Sequence, residues 1–142
     1  MGGRPGRHPL QPPLILVDSS VWINNLRGIE SPGVQKLRKI WTGRTLLVGD
    51  LILMEILMGA RSEALAVRLR ENLGQFPIVA MSDPTVAELA ARNYRVLRGK
   101  GITIRTGIDL LIGTFCIEKG HQLLFDDRDF SPMAIHLGLQ IL

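Results

Sequence analysis

The stretch LILVDSSVWINNLRG, residues 14–28, decides how the rest of the chain is read. Residues 14–17 form a short apolar run without polar alternation, which reads as a buried strand. Asp18, Ser19 and Ser20 end that run with residues that favour a helix N-cap, and VWINNLRG then reads as a short helix closed by Gly28. A buried strand feeding directly into a helix is the opening of an α/β unit.

The same grammar continues outward. Ser31 and Pro32 restart a helix that runs to Gly43, and residues 46–48 form a second strand. Residues 50–58 are apolar except for Asp50 and Glu55 and close on Gly59, which predicts a buried helix. Residues 62–76 are amphipathic, with Leu65, Leu69 and Leu73 at spacings of four. PIVA at 77–80 is a third short strand. Ser82-Asp83-Pro84 opens a helix to about Arg98, and Thr106 stands as the cap of a helix through LLIGTFCIEKG. Residues 121–125 and 137–142 supply the last strands. Alternating strands and helices without hairpin signals predict an α/β fold with a mostly parallel sheet covered by helices. Upstream, MGGRPGRHPLQPP at 1–13 shows neither period and reads as a disordered leader, leaving 14–142 as one domain.

Composition narrows the function classes. With 142 residues and 46% hydrophobic content, the chain suits one compact domain rather than two, or a disordered chain. Cys116 is the single cysteine, so neither an internal disulfide framework nor a cysteine-based zinc site is available. No apolar stretch approaches a membrane span, and Pro12, Pro13 and Asp18 interrupt the only signal-like opening. A reducing, cytoplasmic setting is expected. The formal charge is +4, with arginine far outnumbering lysine, a mild lean toward anionic partners.

Among the acidic residues, four sit in apolar company. Asp18 ends the first strand, Glu55 interrupts LILMEILMG, Asp109 lies in GIDLLIG, and Asp127 follows LLF and Asp126. An ionised carboxylate among apolar neighbours is costly unless it is paired, hydrogen-bonded or bound to a metal. Glu55 has Leu51, Ile52 and Met58 on its own helical face and is expected to point into the fold. Asp18 and Asp127 both follow strands, and ligand crevices of open parallel sheets form at the carboxyl ends of strands. Carboxylates gathered there repel one another unless a cation holds them, and an all-oxygen set selects Mg²⁺ or Mn²⁺. Each acid also has a purely structural role available: Asp18 as a helix cap, Asp109 within a capping box, Asp127 as a turn residue, and Glu55 paired with a buried arginine such as Arg105. Glu55→Gln separates the readings of that residue. A metal-site acid predicts lost cleavage with a fold at least as stable, whereas an ion pair predicts a loss of stability.

At these residues the sequence resembles the PIN-domain ribonucleases, and in particular the VapC toxins of bacterial toxin–antitoxin pairs. LVDSSVWINNLRG is similar to the family's opening strand, acid and hydroxyl pair, with Ser19 where threonine is commoner. LMEILMG is similar to its helix with a lone internal glutamate, and GIDLLIGTFCIEKGHQLLFDDRDF to its remaining acidic segments. The resemblance covers residues 14–142 and implies a PIN-like α/β fold, with helices on both faces of the sheet. It implies an acidic quartet at Asp18, Glu55, Asp109 and Asp127, with Asp129 as an accessory metal ligand. Asp127 rather than Asp126 fits the Asp-x-Asp-Phe spacing. Ser20 takes the place of the hydroxyl that orients the first acid, and Ser20 and Arg105 are the candidate substrate contacts.

What the resemblance implies for function is a Mg²⁺-dependent endoribonuclease, with Mn²⁺ as the alternative ion. It would act as a toxin on RNA, form a homodimer, and be neutralised in a heteromeric complex by a cognate VapB-like antitoxin. Arg92, Arg95, Arg98, Lys100 and Arg105 offer phosphate contacts or a solvated helix face. Trp22, Trp41, Met54 and Met58 read as packing residues, and His8, His121 and His136 are scattered without ligand spacing. Two other readings stand beside this one. A PIN-like module could bind RNA or protein without cutting, and a phospho-acceptor receiver also gathers acids at strand ends. The receiver requires a lysine just after a late strand, whereas Lys36, Lys39, Lys100 and Lys119 fall on expected helices or their ends.

Overall fold

The computed structural model describes residues 14–42 and 45–142, and the expected leader lies outside them. Five strands build one sheet: β1 (Ile15–Val17), β2 (Leu46–Gly49), β3 (Ile78–Val79), β4 (Gln122–Leu124) and β5 (Gln140–Ile141). Their order is β3-β2-β1-β4-β5 and every pairing is parallel. In the centre, Leu16 lies opposite Leu47 on one side and Leu123 on the other. β1 and β2 are buried throughout, which is why their sequences run apolar without alternation.

The strand order explains where the helices go. From β1 the chain steps outward to β2 and β3, then returns past β1 to add β4 and β5. Right-handed crossovers therefore place α1 (Ser19–Leu26), α2 (Pro32–Ile40), α3 (Asp50–Met58) and α4 (Glu63–Leu73) on one face. The same rule puts α5 (Pro84–Gly99), α6 (Gly107–Lys119) and α7 (Ser131–Leu137) on the other. The packing agrees: α1 lies against α2 and α3, and α3 against α4, while α5 lies against α6 and α7. The reversal of winding falls between β1 and β4, and it opens a crevice at their carboxyl ends.

Local sequence sets most of the boundaries. Ser31, Ser62, Asp83 and Thr106 each accept a backbone N–H from three residues on, at 2.8 to 3.1 Å, to cap α2, α4, α5 and α6. Such caps contribute about 1 kcal/mol each. Under the first face, Trp22 is buried against Trp41 and Phe76, with ring centroids 5.6 and 5.8 Å away, and its indole N–H donates to the Val17 carbonyl. Trp22 is thus a packing residue.

Two elements depart from the expectation. α3 is buried on one side only: Ile52 and Ile56 are in the core, but Met54 is 43% and Met58 76% exposed. Composition could not show this, because α3 buries Ile52 and Ile56, half-buries Leu51 and Leu53 against the core, and leaves only Met54 and Met58 of its apolar residues exposed. The second departure is α7, which lies between the last two expected strands and takes Leu137 from the second of them, leaving β5 only Gln140–Ile141. Its opening, Ser131-Pro132, repeats the Ser31-Pro32 signal at the start of α2. Gly138 ends it at φ +80, a conformation that favours glycine.

Candidate active site

Asp18 stands where β1 gives way to α1. It is fully buried, and its extended backbone makes it the N-cap of α1. Oδ2 accepts the Ser20 backbone N–H at 3.1 Å and the Ser20 hydroxyl at 2.7 Å. Its own N–H donates to the Leu124 carbonyl at 2.8 Å, locking the end of β1 to β4. Burial pushes the Asp18 carboxyl above its ordinary range. The Ser20 hydrogen bonds and the Arg128 charge oppose that push, and the Glu55 charge adds to it.

Glu55 reaches the same point from α3. One oxygen, Oε1, accepts the Ser19 hydroxyl at 3.2 Å, and the other, Oε2, is bonded to the Arg128 guanidinium. Its side chain is largely screened from water, so the expectation that it points inward is met despite the exposure of Met58. The arginine it meets is Arg128, not Arg105. Asp109 arrives from the first turn of α6, where its backbone N–H donates to the Thr106 cap. Asp109 Oδ1 lies 3.1 Å from Arg128 Nη1 without hydrogen-bond geometry, so this buried oxygen has an ion-pair partner but no donor.

Arg128 therefore sits among three acids from three separate elements, with Asp18 Oδ1 at 3.5 Å completing the set. Partial burial disfavours its charge. The bond to Glu55 and the charges of Asp18, Glu55 and Asp109 outweigh that and raise its pKa. Sequence reasoning missed Arg128. The one available signal is a lone base between two acids in Asp127-Arg128-Asp129, and such runs usually mark a solvated loop.

The loop that carries Arg128 is pinched at its base by Phe125 and Phe130, whose rings meet edge-on with centroids 5.0 Å apart. Within it the two adjacent aspartates have different tasks. Asp126 accepts the Gly33 N–H at 2.8 Å, the Asn24 amide at 3.0 Å and the Ser31 hydroxyl. Its own N–H donates to Ser20 Oγ at 3.0 Å. It is a structural clamp between β4 and the N-terminus of α2. Asp127 is exposed and lines an open pocket of about 430 Å³ together with Asp109, Arg128, Asp129, Arg105 and Thr106. Asp129 accepts the Ser131 N–H at 3.0 Å, which lowers its pKa.

Of the residues singled out from sequence, the structure gathers Asp18, Glu55 and Asp109 around one guanidinium and puts Asp127, Asp129 and Arg105 on the adjoining pocket. Ser20 is not on that pocket. It is buried behind Asp18, with its hydroxyl engaged on both sides, so it holds the acid rather than facing a substrate. Arg92, Arg95, Arg98 and Lys100 are exposed along α5 and at its end, and His136 is exposed on α7. Among the described residues no three potential ligands are placed to hold a metal ion as they stand.

Acids from the end of β1, from α3 and from α6 thus meet one cation at the carboxyl edge of a parallel α/β sheet. The PIN domain family profile matches residues 15–135, and the chain belongs to that family. Ribonuclease VapC11 of Mycobacterium tuberculosis and VapC ribonuclease Mb1587 of Mycobacterium bovis are each 29% identical over 129 residues, covering 89% of this chain and 96% of the relative. Among solved structures, VapBC2 from Rickettsia felis bound to a promoter DNA fragment superposes with a TM-score of 0.68 at 16% identity, over 91% of this chain and 97% of that one. This last likeness is one of fold.

Proposed function

We propose that the chain is a metal-dependent endoribonuclease and the toxin of a toxin–antitoxin pair. The observation that carries this reading is the meeting of Asp18, Glu55 and Asp109 on a single cation beside an open pocket. The relatives' names as VapC ribonucleases, and the VapBC fold neighbour, support the choice of RNA as substrate and of a small VapB-like antitoxin as partner. No helix among the described residues is long and apolar enough to cross a membrane, which is compatible with work on cytoplasmic RNA.

The residues fit a hard divalent ion. The donors are all carboxylate oxygens, one buried oxygen of Asp109 lacks a hydrogen-bond donor, and a cationic group already occupies their midst. Asp18, Glu55 and Asp109 would hold Mg²⁺ or Mn²⁺, with Asp127 and Asp129 completing the set from the pocket side. The bonds of Asp126 to Asn24, Ser31 and Gly33 support leaving it out of that set. Held by these acids, the ion would supply activation of water and neutralisation of developing charge for phosphodiester hydrolysis. The chain's own part is orientation. Ser20 fixes Asp18, Ser19 fixes Glu55, and the Thr106 cap fixes the turn that presents Asp109. Arg105, exposed at the pocket, would contact phosphate.

The test is cleavage of RNA by the purified chain with Mg²⁺ or Mn²⁺, with chelator, and in Asp109→Asn. Ion-dependent cleavage lost in the variant supports the reading. RNA bound but never cut, with either ion, leaves a PIN-like binding module instead. For the toxin role, a small gene immediately upstream should encode a protein that co-purifies with this chain and blocks cleavage.

A further inference from the structure

The oxygens around Arg128 are not a random sample of those available. Asp18 turns Oδ2 back to Ser20 and presents Oδ1; Glu55 turns Oε1 back to Ser19 and presents Oε2. Asp109 presents Oδ1, the atom without a hydrogen-bond donor. Two of the three acids thus have one oxygen pinned to the protein, and all three offer one oxygen to the guanidinium. A divalent ion held by these acids needs the same oxygens. The two cations cannot share them, since the guanidinium is already paired with each of these oxygens and stands where the ion would bind.

We propose that Arg128 is the built-in counter-cation of the ion-free site and that a divalent ion must displace it, so metal uptake is an exchange of cations. This rests on the metal-site reading above. Without an ion, Arg128 offsets the repulsion among Asp18, Glu55 and Asp109 and keeps the crevice intact. The exchange requires only the side chain to move. The loop base is fixed by the Phe125–Phe130 contact, and about a quarter of the Arg128 side chain is already exposed on the pocket side. There the open, solvent-filled pocket that Arg128 already lines can receive it. The occupied state reduces apparent ion affinity by the fraction of time the oxygens are free.

Mn²⁺ binding to the full chain, followed by calorimetry for wild type, Arg128→Gln and Asp109→Asn, tests the exchange. Arg128→Gln should bind Mn²⁺ at least about ten-fold more tightly than wild type, which corresponds to oxygens free about a tenth of the time. Its ion-free form should melt lower than wild type, and saturating Mn²⁺ should close that gap. Asp109→Asn should bind weakly or not at all. Equal or weaker Mn²⁺ binding by Arg128→Gln overturns the exchange while leaving the metal site standing. Binding by neither protein removes both. If Arg128→Gln does not fold without ion, the wild type decides: the Arg128 Nη–H groups, assigned by their loss in Arg128→Lys, should be protected from solvent exchange without ion by their bonds to Glu55 and Asp18 and lose that protection with Mg²⁺. Unchanged protection at saturating Mg²⁺ overturns the proposal.

Discussion

The Ser20 hydroxyl donates to Asp18 Oδ2 at 2.7 Å and accepts the Asp126 N–H at 3.0 Å, so one side chain joins the end of β1 to the loop after β4. Through it, the acid facing the cation cluster and the acid clamping α2 share a single support. That link separates the two neighbouring aspartates of the loop.

Asp126→Asn should cost about 1–3 kcal/mol of stability, because an amide cannot accept from Asn24, Ser31 and Gly33 together. Asp127→Asn should lie within about 0.5 kcal/mol of wild type, since its side chain is exposed, yet lose most cleavage. Urea unfolding alongside an RNA assay measures both. Comparable stability losses would mean that the two residues have not been told apart.

Gly33→Ala should destabilise the protein by at least about 1 kcal/mol, although alanine is ordinarily the better residue in a helix by a similar amount. A Cβ at Gly33 would stand 2.5 Å from Asp126 Oδ1, and the carboxylate cannot retreat without abandoning its bonds. A rise in melting temperature would show that the clamp is dispensable.

The pH dependence follows from Asp18. Its folded-state pKa is raised by burial, so its ionised form is penalised on folding at neutral pH, and the penalty is relieved as pH falls through the raised value. Ion-free Asp18→Asn should therefore be more stable than ion-free wild type at pH 7, and the difference should shrink on acidification. Denaturant midpoints from pH 7 downward give the comparison; a gap that widens toward acid contradicts the sign.

For Glu55→Gln the structure changes the expectation. A fold at least as stable follows if the carboxylate is only repelled by other acids, but Glu55 is bonded to Arg128 and accepts from Ser19. In the ion-free protein the substitution should cost about 1–2 kcal/mol, between the values for exposed and buried pairs. Cleavage should still be lost. On the proposed cation exchange, metal-site acid and ion-pair member would be successive states of one residue, and unfolding with and without Mg²⁺ distinguishes them.

How far the sequence could be read depends on whether burial leaves a mark in composition. Asp18 is conspicuous because an unbroken apolar strand runs into it, and Glu55 because its helical neighbours are apolar. Those signals located the crevice, as did the alternation that predicts a parallel sheet. Arg128 leaves no such mark: between Asp127 and Asp129 it reads as part of a solvated loop, and only the return of β4 beside β1 brings it to acids 110, 73 and 19 positions away in sequence. The division of labour between Asp126 and Asp127 is hidden for the same reason. The partners of Asp126 sit at Asn24, Ser31 and Gly33, far off along the chain. The exposure of Met54 and Met58 depends on how much of α3 its neighbours cover, which composition does not encode.

The most direct test of the account is the anomalous difference map of crystals grown with Mn²⁺. The account predicts a peak among Asp18 Oδ1, Glu55 Oε2 and Asp109 Oδ1, with the Arg128 side chain moved out into the pocket. A map without a peak there, with Arg128 still paired to all three acids at saturating Mn²⁺, would contradict it.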